Sequence, residues 1–189
     1  MQVLFLGPPH PALQHFLESC GDRVTTTEEK ISTSSEFLAK TDFIVSYRYR
    51  HILKQDVLSQ FLNRAINIHI SFLPWNRGSD PNLWSFLEDT PKGVTIHYIN
   101  SGIDTGDILV QQAVSFSDQD TLRTSYEKLT QVAEALFKAH WLAIRDGTLQ
   151  PCPQVGEGSY HRTRDRAPYE HLLTQGWDTP VCSLIGKAL

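Results

Sequence analysis

Cysteine and methionine are scarce in this 189-residue chain, which has three of the former and one of the latter. Cys20, Cys152 and Cys182 are odd in number, far apart and form no Cys-x-x-Cys pair. A disulfide framework and a thiolate zinc site are therefore not signalled, and the thiols read as reduced and incidental. No stretch approaches the roughly 20 apolar residues of a membrane span. The opening segment, MQVLFLGPPH, lacks the basic head and small-residue cleavage site of a signal peptide, so a cytoplasmic location without membrane attachment is expected. A surplus of positive charge is missing too. With 17 Lys and Arg against 21 Asp and Glu, the net charge is −4, which speaks against a nucleic-acid binder that needs a broad basic surface. Small anionic ligands remain compatible with it. The turn Gly7-Pro8-Pro9-His10 is no Gly-x-Gly-x-x-Gly fingerprint, and its two prolines remove donors that a phosphate cradle would use, so a dinucleotide cofactor is not expected.

The remaining material suits one α/β domain spanning 1–189. Short β-rich runs alternate with segments of helical period, and no internal repeat is present. Val3–Leu6 reads as a first strand, followed by a helix carrying Ala12, Leu13, Phe16 and Leu17. Arg23–Thr27 has the β-branched bias of an edge strand, and Phe43–Val45 is a continuous apolar run typical of a buried one. Ile52–Phe61 reads as helix and Ala65–Ile70 as a fourth strand. Gly93–Ile99 and Ile108–Phe116 make two more strands, joined by a turn rich in Gly and Asp. Thr121 caps a long helix whose stripe runs through Leu122, Tyr126, Leu129, Val132, Ala133, Leu136, Phe137 and Ile144, ended by Asp146-Gly147. Beyond Leu149 the composition turns to Pro, Gly and charge, and about 151–189 reads as an irregular extension wrapped on a core of about 1–150.

The sharpest local feature is Asn67-Ile68-His69. Residues two apart in a strand project to the same face, so an amide and an imidazole stand side by side near the carboxyl edge of the sheet, where α/β proteins bind ligands. An amide that can hold an oxyanion beside a ring that can move a proton suits attack on a carbonyl. Two satisfied polar residues at a strand end would give the same pattern. Asp104, in Ser101-Gly102-Ile103-Asp104-Thr105-Gly106, would strengthen the catalytic reading if it came near and oriented the ring. Turn chemistry alone also accounts for such a loop. His69, His97 and Asp104 supply two imidazoles and a carboxylate, but no spacing pre-forms two metal ligands, and no metal is expected.

Taken together, Asn67-Ile68-His69, Ser71-Phe72-Leu73-Pro74, Gly93-Val94-Thr95-Ile96-His97-Tyr98 and Gly102-Ile103-Asp104-Thr105-Gly106 resemble the formyltransferase family that uses 10-formyltetrahydrofolate. The resemblance covers roughly residues 1–150 and is specific in combination. It implies a Rossmann-like formyltransferase fold, with a mainly parallel twisted sheet flanked by helices and a short irregular C-terminal extension. It also implies a catalytic trio of Asn67, His69 and Asp104. Leu73 to Ser85 looks like the branch that N-formylates amino groups on nucleotide-linked dideoxysugars, and also like the formylation domain of nonribosomal peptide synthetases. One departure is Ile70, where the family usually has Pro.

The expected reaction is transfer of the formyl group of 10-formyltetrahydrofolate to the amine of a dTDP- or UDP-linked aminosugar. A formyl-folate hydrolase and a non-catalytic folate or nucleotide-sugar binding protein are the alternatives. The resemblance places the folate at Tyr49, Arg50, His51, Ile52 and Leu53 and at Gly102 and Ile103. Arg48, Trp75, Asn76, Arg77 and Gly78 are expected at the sugar nucleotide, since guanidinium forks suit phosphate oxygens. Trp84 fits either that pocket or the core. A homodimer is expected only because related enzymes often associate.

Overall fold

The computed structural model describes residues 1–188. In chain order its elements are β1 (Gln2–Leu6), α1 (Pro11–Ser19), β2 (Arg23–Thr27), β3 (Phe43–Tyr47), α2 (Gln55–Leu58), β4 (Ala65–His69), β5 (Arg77–Gly78), α3 (Pro81–Leu87), β6 (Gly93–Tyr98), β7 (Ile108–Ala113), α4 (Leu122–Arg145) and β8 (Tyr160–His161), with short 3-10 turns between and after them. Six strands form one sheet in the order β2-β1-β3-β4-β6-β7. The first four run parallel, while β6 is antiparallel to β4 and to β7. A mostly parallel sheet with helices against it is the expected α/β architecture.

The two-residue period of the strands divides their apolar side chains between two layers. Val3, Phe5, Phe43, Val45, Ile66 and Ile68 join Leu13 and Leu17 of α1 and Leu129, Phe137 and Trp141 of α4. The alternate positions Leu4, Leu6, Ile44 and Ala65 pack on Ile31, Leu38, Leu53, Val57 and Phe61. On β4 this second face then changes character, because the positions after Ala65 are Asn67 and His69. Across the antiparallel register Asn67 lies opposite His97 and His69 opposite Thr95. One corner of an apolar face thus becomes polar, and that corner carries the site.

α4 begins as its sequence indicates. Thr121 accepts from the Thr124 amide while Thr124 reciprocates to Thr121, a capping box that satisfies two otherwise orphaned N–H groups. The expected helix over Ile52–Phe61 shrinks to the single turn α2. Leu53, Val57 and Phe61 mimic helical spacing, but Leu53 reaches its cluster from an extended loop. The C-terminal extension does more than wrap. Val181 and Leu184 complete a third apolar cluster with Leu83, Trp84, Phe86, Leu87 and Leu122. β8 pairs with β5. Trp84 is core: its ring stacks on His161 at 3.7 Å between centroids.

Trp141 ties α4 to the sheet. It is buried edge-on to Phe43 at 5.2 Å and donates from Nε1 to Asp22 at 2.7 Å. Trp141→Ala is expected to destabilise the fold by about 4 kcal/mol in urea denaturation, combining a cavity with the loss of a short hydrogen bond to Asp22, whose Oδ2 keeps a 3.5 Å contact to Arg145.

Candidate active site

Thr95 and Gln111 anchor the loop that follows β4. Thr95 Oγ1 donates to the Ser71 carbonyl at 2.7 Å and accepts from the Leu73 amide at 3.2 Å. Gln111 Nε2 donates to Thr95 Oγ1 and to the Leu73 carbonyl, both at 2.8 Å. These bonds fold the chain after β4 back over the strand it has just left. The Asn76 carbonyl consequently lies 3.1 Å from His69 Nε2. Because Nε2 faces this acceptor and, at 3.7 Å, Asp104 Oδ2, the ring proton is assigned to Nε2, leaving the lone pair on Nδ1 in the neutral form.

Asp104 arrives from the loop after β6. Asn100 Oδ1 accepts from the Gly102 amide at 3.1 Å and from Thr105 Oγ1 at 2.7 Å, which curls that loop. Asp104 itself sits at φ 52°, in the left-handed region that a non-glycine residue seldom occupies. Its main chain is held there by Gln154, whose Nε2 donates to the carbonyls of Asp104 at 2.8 Å and Gly106 at 2.9 Å. Gln154 is in turn oriented by Arg77 Nε at 3.1 Å.

The Asp104 carboxylate collects donors from three elements. The Gly78 amide donates to Oδ2 at 2.9 Å and Asn67 Nδ2 to Oδ1 at 3.2 Å, while His97 Nε2 lies 3.5 Å from Oδ1. Burial alone would push its pKa up. The charges of His69 and His97 and the hydrogen bonds from His97 and Gly78 outweigh that and hold it well below the usual carboxylate range. His97 Nδ1 lies 2.8 Å from the Tyr98 carbonyl, and its Nε2 sits between Asp104 Oδ1 and Asn67 Nδ2, the latter 3.4 Å away. Asn67 therefore commits one amide hydrogen to Asp104 and keeps the other in only a long contact.

Above this constellation lies a cleft of about 850 Å³. Asn67, His69 and Asp104 line it, as do Arg48, Tyr49, Arg50, His51, Ile52, Leu53, Gly78, Gly102 and Ile103. Trp75, Asn76 and Arg77, expected at the acceptor, lie outside its lining. Asn76 is 0% exposed, with its carboxamide closed in a mutual pair with Thr90 at 2.8 and 2.9 Å. Trp75 is half-buried and Arg77 points to Gln154. The loop they share acts on the site through main chain and glycine. Gly78 has φ +86°, and a Cβ there would collide with the His161 carbonyl.

Several site residues escape a sequence reading. In the sequence His97 reads as a candidate metal ligand and as part of the family-like Gly93–Tyr98 run, whereas in the fold it contacts Asn67 and Asp104. Gln154 reaches the site from a distant segment that no local pattern marks; Tyr126 reads in the sequence as part of the α4 stripe, and Tyr160, His161 and Arg166 as a locally basic stretch that suits a nucleotide or partner subunit and equally a solvated charged turn. Among the described residues no group of three or more His, Cys, Asp or Glu is arranged to hold a metal ion.

Asp104 also gives the fold a pH signature. Its folded pKa lies below its unfolded value of about 3.9, so its contribution is fully present above about pH 4 and is lost as pH falls toward the folded value. Denaturation of wild type and Asp104→Asn from about pH 6 to about pH 3 should show a stability difference that shrinks below about pH 4. A difference independent of pH would contradict this account.

Residues 9–140 match the family described as formyl transferase. Methionyl-tRNA formyltransferase of Thermodesulfovibrio yellowstonii is 36% identical over 120 residues, covering 63% of this chain and 39% of the relative. That of Acetivibrio thermocellus is 31% identical over 147 residues, covering 77% and 47%. The chain thus spans half or less of the length of these curated relatives. Among solved structures, the formyltransferase PseJ from Anoxybacillus kamchatkensis, in complex with UDP-4,6-dideoxy-4-formamido-L-AltNAc and tetrahydrofolate, superposes with a TM-score of 0.98 at 55% identity, covering 100% of both chains. A sugar N-formyltransferase from Shewanella shares the fold, with a TM-score of 0.75 at 24% identity, covering 87% of this chain and 78% of that one. With 132 of its residues matched to one family and the amide, imidazole and carboxylate gathered under one cleft, the chain belongs to the formyl transferase family.

Proposed function

We propose that this protein transfers the formyl group of 10-formyltetrahydrofolate to the 4-amino group of a UDP-linked dideoxy aminosugar. The observation that carries this reading is the convergence of Asn67, His69 and Asp104 in one cleft, in a chain that matches the PseJ complex end to end. Proposed together with it are a single formyltransferase unit over 1–189 and a cytoplasmic setting. No described helix is long and apolar enough to cross a membrane.

The cleft suits a flat, polar heteroaromatic donor. Among the described residues, the main-chain N–H groups of Arg50, His51, Ile52 and Leu53 bond to no other main-chain carbonyl, which leaves a row of donors for ring acceptors. Ile52, 63% exposed, and Ile103, 37% exposed, line the same cleft and offer apolar contact to ring faces.

The chain's groups then divide the chemistry. As the amine forms its new N–C bond to the formyl carbon, the Asn67 hydrogen not committed to Asp104 donates to the developing oxyanion. His69 accepts the proton that the amine sheds and delivers it to the folate nitrogen as that C–N bond breaks, so the ring ends each turnover as it began. Asp104, ionised throughout, compensates the imidazolium formed in between. His97 and the Gly78 amide keep that carboxylate in place.

Incubation with 10-formyltetrahydrofolate and a panel of UDP- and dTDP-linked 3-amino and 4-amino sugars, read by mass, should show one added formyl group on a UDP-linked 4-amino sugar. His69→Ala should abolish the product while retaining the fold by circular dichroism. Asn67→Ala should lose on the order of a hundredfold to a thousandfold in kcat. Formate released without any acceptor would instead make the protein a hydrolase, and ligand binding without turnover would make it a binding protein.

A further inference from the structure

The two amides that flank Gly78 are taken by the C-terminal segment. Arg77 N–H donates to the Ser159 carbonyl at 3.0 Å and Ser79 N–H to the His161 carbonyl at 2.9 Å. Successive amides of an extended strand point to opposite sides. The Gly78 N–H between them therefore turns away from β8, and it donates to Asp104 Oδ2 at 2.9 Å. Pairing with β8 thus sets the direction of a main-chain donor on the site's carboxylate.

That pairing is short. β8 has two residues, and so brief a ladder is marginal without side chains to anchor it. Tyr160 is exposed, whereas His161 is 8% exposed. The His161 imidazole lies flat on the Trp84 indole, with 5° between the planes, and its Nε2 lies 3.1 Å from Glu88 Oε1. Tyr169 closes edge-on against the same indole at 5.4 Å. Trp84 and Glu88 belong to α3 and its C-terminal cap, and Trp84 is buried in the third apolar cluster. A fixed platform on α3 is thereby linked through His161, β8 and Gly78 to Asp104. We infer that His161 is a positioning residue for the reaction: its stack on Trp84 seats β8, and β8 aims the Gly78 amide at Asp104. The consequence for rate rests on the formyl-transfer reading above, whereas the consequence for Gly78 does not.

Deuterium exchange followed by NMR of the 15N-labelled full chain reads the Gly78 amide directly. It should be protected in wild type and exchange at least about tenfold faster in His161→Ala, with amides of the central sheet unchanged. His161→Phe keeps a flat ring on Trp84 and should restore protection to within about threefold of wild type. If His161→Ala fails to fold, His161→Leu, which fills the space without a planar face, carries the same expectation. In turnover His161→Ala should lower kcat on the order of tenfold to hundredfold, as expected for one hydrogen bond to a charged group. The KM values for both substrates should stay within about twofold of wild type, and His161→Phe should recover most of the loss. Full Gly78 protection in His161→Ala, no recovery in His161→Phe, or a raised KM for the UDP-linked aminosugar in place of a lowered kcat would overturn the assignment. If no aminosugar is formylated while Gly78 protection still depends on the ring at 161, the activity reading falls and the seating of β8 by His161 stands.

Discussion

A buried carboxylate with too many claimants organises this protein. Asp104 is withdrawn from water and would protonate if left alone. Two imidazoles, an amide side chain and a main-chain N–H from the β5 loop keep it charged. Those groups come from three stretches of chain, Asn67 and His69 from β4, His97 from β6 and Gly78 from β5. Keeping one anion satisfied therefore fixes where β4, β6 and the loop after β4 stand relative to one another. The same arrangement that offsets the cost of burial holds an amide side chain and an imidazole at a cleft wall.

The sheet makes this arrangement inexpensive to reach. Its period of two already separates the face packed on α1 and α4 from the face packed on α2. Only the continuation of the second face, at Asn67, His69, Thr95 and His97, has to become polar. The antiparallel pairing of β4 with β6 doubles the number of polar side chains at that corner without lengthening either strand. Thr95, fully buried, spends its hydroxyl on loop carbonyl and amide groups that would otherwise go unpaired.

The C-terminal segment shows how little of a site need lie near the reacting groups. Gln154 touches the Asp104 main chain, not its carboxylate, yet two hydrogen bonds there hold a backbone that an aspartate does not adopt by preference. β8 closes on β5 where Gly78 must lack a side chain, and His161 stacks on Trp84 of α3. Composition marks residues after Leu149 as irregular, which they largely are, but irregular main chain carries no signature of what it touches.

From the amino-acid order alone came the alternation of strands and helices, the capped α4, the same-face pairing of Asn67 with His69, and, through motif order, Asp104 as their partner. These are local or combinatorial properties, set by side-chain period, turn chemistry and spacing. Tertiary structure decided the rest. It made β6 antiparallel to β4, bringing His97 opposite Asn67. It shortened the expected helix after Ile52 so that the loop lines the cleft, and it tied Asn76 to Thr90 and Arg77 to Gln154, outside the cleft lining. It also brought Gln154, His161 and Arg166 to the site from beyond the core. Register, loop direction and long-range convergence depend on which contacts win in the assembled chain, and no local stretch of residues encodes that competition.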